Sequence, residues 1–509
     1  MINPMEMVLM SDKYFLGLDY GTQSLRCGIF DTRGNLIATS EKTHDTYYPQ
    51  PGWALQRPSD WIEGLHAVIA DCHETAGSDI FNRICGLSVC STSSTVLAIG
   101  QDDMPLEDAI LWMDVRAKDE ATQINQTKHE VLQHCGGEVS VEWIVPKMMW
   151  LRNHNPKVFE QSKLIVEQQD YINHYLTGRW CSALNQATCK SHYVKEMGGF
   201  NREFFHGMGF NEFFDKANLD IVQQGDEIGT LRDTLCRQFH IRSDVRVYQG
   251  CLDAYTNMLG LGVCNSGETG IVMGSSFVHL ALVDKPVFQD GIWGPYRDAL
   301  IPGLTCLEGG QISAASITKW FLREFGVSGD NPYDTMAEEA SKVPIGSDGL
   351  ITLDFFQGNR TPYKDPMAKG VIYGLSFSHT RGHIYRSILE CVAFGTRNVF
   401  DAIEGGTQSI HEIRGCGGVT LNKLWLQIIA DVTEKPIILT KCSDKAGVLG
   451  GAITAAVGHG VFASFAEACD NMVLTTNEIE PSQSATNAYM EYYEQYKELY
   501  KNLKDMMHN

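Results

Sequence analysis

Three observations predict an α/β protein of two domains. A length of 509 residues exceeds what one hydrophobic core usually serves. Strand-like apolar runs alternate with helical periodicity along the chain, as in sheets covered by helices. One device also occurs twice, early in each half. Phe15–Leu18 and Cys27–Phe30 flank a polar turn beginning at Asp19, and the runs around Ile271 and Leu280 flank Gly274-Ser275-Ser276. The repetition suggests two related domains facing each other across a nucleotide. The division falls near Val263 to Gly267, giving residues 12–263 and 264–509.

In the first hairpin, Gly21 stands where a tight turn needs freedom in φ. Asp19 ends the incoming run, and Gly21-Thr22-Gln23-Ser24 offers backbone N–H groups and hydroxyls. Such a turn suits a phosphate with a carboxylate facing its metal ion. By itself it is equally an ordinary hairpin with a polar loop. Ser59 and Asp60 then cap a helix carrying Trp61, Leu65, Val68 and Ile69. Ile84–Val89 reads as a strand before the polar run Cys90–Thr95, and Ala109–Met113 as another that ends in Asp114-Val-Arg116. Both polar runs fall at strand C-terminal ends, where sites in such sheets collect.

From Lys128 to Arg242 the pattern is mostly helical. His129, Glu130 and His134 imitate a metalloprotease motif. The histidines are five apart, however, and leave a helix on different sides, so no zinc site is expected. Val245–Asp253 is a strand closing in a glycine and a carboxylate, followed by a helix from Ala254 to Leu261. The second half brings Glu308-Gly-Gly-Gln311 and a long helix through Arg386, Glu390 and Phe400. A strand from Ile413 then enters the turn Gly415-Cys-Gly-Gly418. Ala446–Ala466 has no charged residue but is interrupted by glycines, as in a helix of small residues buried against a sheet or a ligand and unlike a membrane span. Asn487–Met507 reads as an amphipathic helix on the domain surface.

Lys+Arg 41 against Asp+Glu 62 gives a net charge of -21, which disfavours nucleic acid and anionic membranes as partners. The 15 cysteines include no C-x-x-C pair and fit reduced thiols in a cytoplasmic protein. Met1–Ser11 has no basic residue before its apolar ones and does not read as a signal peptide.

No Gly-Lys dipeptide occurs, which excludes a P-loop. The Gly415–Gly418 cluster lacks the third spaced glycine of a dinucleotide fingerprint. There remains an ordered set: Leu18–Arg26, Trp112–Ala117, Gly250-Cys-Leu-Asp253, Met273-Gly-Ser-Ser276, Gly417-Gly418 and Gly450-Gly-Ala452. In these motifs the chain from Tyr14 to Val461 resembles the FGGY carbohydrate kinase family, within the sugar kinase, heat-shock ATPase and actin superfamily. The resemblance implies two ribonuclease-H-like domains of the actin/hexokinase type, with ATP and Mg²⁺ in the cleft between them. The N-terminal domain would take the sugar and phosphates, the C-terminal one the adenosine. Asp19 would stand beside Mg²⁺, directly or through water, with Gly21, Thr22 and Gln23 on the phosphates. Gly274, Ser275 and Ser276 would form the second phosphate loop, where the family often has Gly-Thr-Ser. Gly417, Gly418 and Asn422 would line the adenosine pocket, and Asp253 would be the general base. A carboxylate on a rigid strand end suits that role, because phosphoryl transfer is mostly positioning and charge neutralisation. The other reading of Asp253 is a helix N-cap.

Glu308-Gly-Gly-Gln311, Thr188-Cys-Lys190 and Cys416–Asn422 resemble the ribulokinase-like branch, where the corresponding lysine and glutamate contact the ketose with the catalytic aspartate. Lys190, Glu308 and Asp253 are therefore substrate candidates, since hydroxyls donate to carboxylates and accept from ammonium. Thr92 and Ser93 join them, although Cys90-Ser-Thr-Ser-Ser94 departs from the Thr-Cys-Ser of D-ribulose members and from the Gln-His of xylulose kinases. Trp143 and Asp170 either face the pocket or serve packing and capping. The expected activity is ATP-dependent phosphorylation of a terminal hydroxyl of a ketose, a pentulose such as D-ribulose or L-ribulose. Xylulose, glycerol or another polyol is the alternative substrate, and a non-catalytic actin-like nucleotide switch the alternative of another class. A homodimer is a family-level expectation.

Overall fold

Phe15–Leu18 and Cys27–Phe30 show no polar alternation, which suits strands covered on both faces. The computed structural model describes residues 13–405 and 408–508, so the reading of Met1–Ser11 and the start of the first domain at residue 12 lie outside the described residues. The two runs form β1 (Tyr14–Tyr20) and β2 (Ser24–Asp31), antiparallel, with every residue of β1 buried. β3 (Leu36–Thr43) pairs antiparallel with β2. A helix, α1 (Pro58–Ala76), buries Trp61, Leu65, Val68 and Ile69. Its N-cap is Arg57 with no side-chain cap, and Pro58 takes the first position, so Ser59 and Asp60 are not its caps. Proline suits that place because its missing N–H would have had no intrahelical partner.

β4 (Ile84–Ser91) lies parallel to β1. Of the strand expected at Ala109–Met113 only Ala109–Ile110 pairs. The segment beyond is held by Asp114, which accepts from Ala54 N at 2.7 Å and from Arg116 N at 3.0 Å. The mostly helical region contains α2 (Gln168–Thr177) and α3 (Leu184–Lys190), interrupted by short strands. β5 (Glu227–Thr230) pairs antiparallel with β6 (Arg246–Leu252), which lies parallel to β4 and runs straight into α4 (Asp253–Gly260). The sheet order is β5-β6-β4-β1-β2-β3.

The chain divides into two compact units, and the second repeats this plan. β7 (Glu268–Met273) and β8 (Phe277–Val283) form an antiparallel hairpin, followed by β9 (Thr305–Gln311). After a long helix, α5 (Arg381–Glu404), β10 (Glu412–Cys416) lies parallel to β7. Helix α6 (Lys423–Thr433) then leads to β11 (Ile437–Thr440), parallel to β10, and β12 (Thr475–Ile479) pairs antiparallel with β11. The sheet has seven strands: Trp293–Arg297 lies at the edge beside β9, and the other six stand in the order β9-β8-β7-β10-β11-β12, the counterpart of the first sheet. Each unit is thus a ribonuclease-H-like α/β domain.

Two segments beyond the division at residues 263/264 belong to the first unit, Pro295–Cys306 and Lys445–Leu474. The second contains the glycine-rich helix, α7 (Ala446–Gly458), which lies against β1 with Gly451 so near that an added Cβ would stand 3.0 Å from Gly17 Cα. Among the described residues no helix is long and apolar enough to cross a membrane. The last helix, α8 (Gln483–Met507), begins before Asn487 and is part of the second unit's core, not a surface addition. Tyr489, Tyr493, Tyr496 and Tyr500, at helical spacing, are buried, and the last three donate to Asp401, Asp354 and Asp365.

Candidate functional site

Asp19 is the sixth residue of β1 and only 5% exposed. Arg26 Nη1 lies 3.7 Å from its Oδ2, and Cys90 Sγ donates to Oδ1 at 3.4 Å. Burial raises its proton affinity, against the pull of Arg26 and Cys90. In the following turn Gly21 N donates to Ser24 O at 2.9 Å. Gly21 does not take a positive φ, so the conformational freedom expected there is not what the glycine supplies. Thr22 is held from two sides. Its Oγ1 accepts from Trp112 Nε1 at 3.0 Å and its carbonyl from Gln56 Nε2 at 2.7 Å. Gln23 is exposed, and its carbonyl accepts from His44 N at 3.0 Å.

Asp253 opens α4, with Leu252 at the N-cap position, and its Oδ1 accepts from Ala254 N at 2.6 Å. It is therefore not the N-cap. Burial, with the negative charge of Asp19 second, pushes its pKa up to about 7, while Ala254 N–H, Lys190 and Arg26 oppose. Lys190 ends α3 with its Nζ 5.3 Å from the centre of the Trp143 ring. Trp143 itself is buried at 3% exposure, so it serves as a platform for the ammonium. Thr92 has its hydroxyl engaged with Thr95 Oγ1 at 2.9 Å and Gln168 Oε1 at 3.2 Å, while Ser93 beside it is half-buried. Asp170 is buried and accepts from Ser182 Oγ at 2.6 Å and Glu167 N at 3.4 Å, the second of these capping α2.

In the second unit the hairpin turn repeats the first: Gly274 N donates to Ser276 O at 3.1 Å. Ser275 O accepts from Ala314 N and Ser316 N, and both serines are exposed. Gly274 and Ser275 border a cavity of about 570 Å³ whose wall also includes Tyr333, Gly418, Leu421 and Asn422. Such a volume is ordinary for a small-molecule site, roughly 300–1,000 Å³. Gly417 has φ +99°, and a Cβ there would stand 2.5 Å from Met273 O, so the close approach of the two turns needs glycine. Beside Gly418 nothing lies within 4 Å of an added Cβ. Asn422 caps α6 through Trp425 N at 3.1 Å. Glu308, on β9, is nearly buried, with Arg360 Nη2 at 3.7 Å from its Oε1. The neighbouring Gln311 is committed to Asp354, Val392 O and Thr396.

Residues 14–260 match the N-terminal domain, and residues 270–459 the C-terminal domain, of the FGGY family of carbohydrate kinases. The chain belongs to this family. Its relatives include the ribulokinase of Geobacillus thermodenitrificans, 29% identical over 96% of this chain and 94% of that protein. An FGGY carbohydrate kinase domain-containing protein of Homo sapiens is 26% identical over 97% and 98%. Among solved structures, the xylulose kinase of Rhodospirillum rubrum aligns with TM-score 0.89 at 24% identity, over 98% of this chain and 100% of that one. The Plasmodium falciparum glycerol kinase with ADP aligns with TM-score 0.85 at 18% identity, over 96% and 98%. At these identities the structural likeness concerns the fold.

The sugar kinase's surroundings also contain residues that sequence reading did not assign to a site. Gly447 is one: a Cβ there would stand 2.5 Å from Asp19 Oδ2. Leu421, 86% exposed at the cavity wall, offers a flat apolar contact. A leucine directly before the capping Asn422 and after the Gly417-Gly418 turn is the sequence signal that could have marked it. Trp112 was visible as part of a motif, but its bond to Thr22 was not.

Proposed function

We propose that this FGGY kinase transfers the γ-phosphate of ATP to a terminal hydroxyl of a ketose, with a pentulose, D-ribulose or L-ribulose, as substrate. The observation that carries it is the acid pair of the first unit. Asp19 stands beside the Gly21-Thr22-Gln23 turn, and Asp253, within its field, has a pKa near neutral. A base of that strength is better matched to a hydroxyl proton at physiological pH than an ordinary carboxylate. Asp253 takes that proton, and Lys190 donates to ketose oxygens. Glu308, with Thr92 and Ser93, is assigned to the remaining hydroxyls.

The 570 Å³ cavity of the second unit fits the adenosine end of ATP. Gly418 and Asn422 line it, with Gly417 next to Gly418 in the same turn, and Gly274-Ser275-Ser276 is assigned to the phosphates, as are Gly21, Thr22 and Gln23 in the first unit. Among the described residues no three His, Cys, Asp or Glu gather as a metal site. Mg²⁺ commonly uses one or two carboxylates and completes its shell with phosphates and water, and Asp19, buried beside the first phosphate turn, is the residue that would hold it. Bound Mg²⁺ neutralises charge on the phosphoryl oxygens. The names of the ribulokinase relatives support the pentulose.

Sugar-dependent ADP release measured across pentuloses, tetritols and glycerol tests the reading. D-ribulose or L-ribulose should give the highest kcat/KM. Stimulation by xylulose or glycerol alone replaces the substrate, and no stimulation by any sugar overturns the kinase reading in favour of a nucleotide switch. Asp253→Asn should lower sugar-dependent ADP formation by about 10²–10⁴-fold, leaving a small residual rate.

A further inference from the structure

The end of β6 is irregular where it meets β4. Gln249 stands opposite Val89 and Leu252 opposite Ser91, so two residues, Gly250 and Cys251, face the single residue Cys90. This is a bulge, and bulges re-aim the residues that follow. Here the next residue after the strand is Asp253. The strands approach so closely that a Cβ on Gly250 would stand 2.1 Å from Val89 O.

The peptide groups around the bulge bond to side-chain amides. Gln169 Nε2 donates to Val89 O at 2.6 Å and to Cys251 O at 3.2 Å, bridging the two strands. Gln249 Nε2 donates to Gly250 O at 3.1 Å. Asn185 Oδ1 accepts from Leu252 N at 3.0 Å, the N–H just before Asp253, and its Nδ2 donates to Ala299 O at 2.6 Å. All three amides are 2% exposed or less. Gln169's orientation is fixed by chemistry, because a carbonyl can only accept. Gln169 lies in the first turn of α2, and Asn185 on α3, the helix that ends in Lys190.

We propose that Gln169 and Asn185 are positioning residues for the phosphoryl transfer: by holding the peptide groups of the β6 bulge, they fix the place from which Asp253 meets the substrate hydroxyl. The proposal rests on Asp253 being the base. Neither amide needs to touch the sugar, and their effect belongs in turnover and not in binding.

The test uses the full chain with D-ribulose and L-ribulose as acceptors. Gln169→Met and Asn185→Leu keep side-chain volume and remove the hydrogen bonds. Each should lower kcat roughly tenfold to a hundredfold, the scale of a misplacement near 1 Å, while ketose affinity by calorimetry stays within about threefold. In an Asp253→Asn background neither should lower the residual rate further, because both act through that carboxylate. Equal losses in both backgrounds overturn the proposal, as do folded variants with parental kcat. If one substitution prevents folding, the other carries the same comparison. Parental turnover by Asp253→Asn alone is a different result: it removes the base itself, and the proposal with it.

Discussion

Asp253 carries a negative charge at the cost of leaving water and of standing in the field of Asp19, and this is why its pKa rises to about 7. The base form is the ionised one. The kinase is therefore expected to lose kcat/KM for the ketose about tenfold per pH unit below pH 7, and a pH–rate profile with its acid limb below pH 5 would contradict the assignment. The same shift has a stability consequence. The folded carboxyl holds its proton more tightly than the unfolded one, so its contribution is fully present below the unfolded value of 3.8 and is lost as pH rises through about 7. Asp253→Asn should accordingly raise Tm relative to the parent at pH 8 and leave it nearly unchanged at pH 4. Melting curves at the two pH values check this.

At the scale of elements, α7 settles against β1 through glycines. A Cβ on Gly17 would stand 1.9 Å from Val448 O, a backbone atom that cannot swing away. Gly17→Ala should destabilise the protein by about 1–3 kcal/mol, as overpacking does, seen as a fall of a few degrees in Tm. An unchanged Tm would mean that the helix gives way freely. The hairpin turns and the strand-end Asp253 were legible because each signal is local: an apolar run, a turn residue and an acid within one short stretch. The composition of Ala446–Ala466 disclosed a buried helix but not that Gly447 would press on Asp19, since that contact joins distant parts of the chain. Gln169 and Asn185 were hidden for a further reason. Their role exists only because two strands are out of step at Gly250–Cys251, and register is not written in either strand alone. The sugar stayed open because Lys190, Glu308, Thr92 and Ser93 are residues that many polyols could use.

At the scale of the molecule, the two sheets share one order over six strands, the second adding an edge strand, and each hairpin turn is closed by a glycine N–H bonded to a serine carbonyl. The chain does not complete them one after the other. The first unit is finished by Lys445–Leu474, supplied only after β11 of the second unit has been made. Val448, Leu449 and Ile453 of that segment are each 1% exposed or less. At roughly 1.5–3 kcal/mol for each fully buried side chain, these three alone rival a whole domain's net stability of about 5–15 kcal/mol. A chain ending at Cys264 should therefore fail to melt cooperatively, although it contains all six strands of the first sheet. The same chain continued through a short flexible linker into residues 445–474 should recover a single sharp transition by calorimetry. A cooperative melt from the chain ending at Cys264 would show instead that β1 and α4 find another cover, and that α7 adds to a core already sufficient without it.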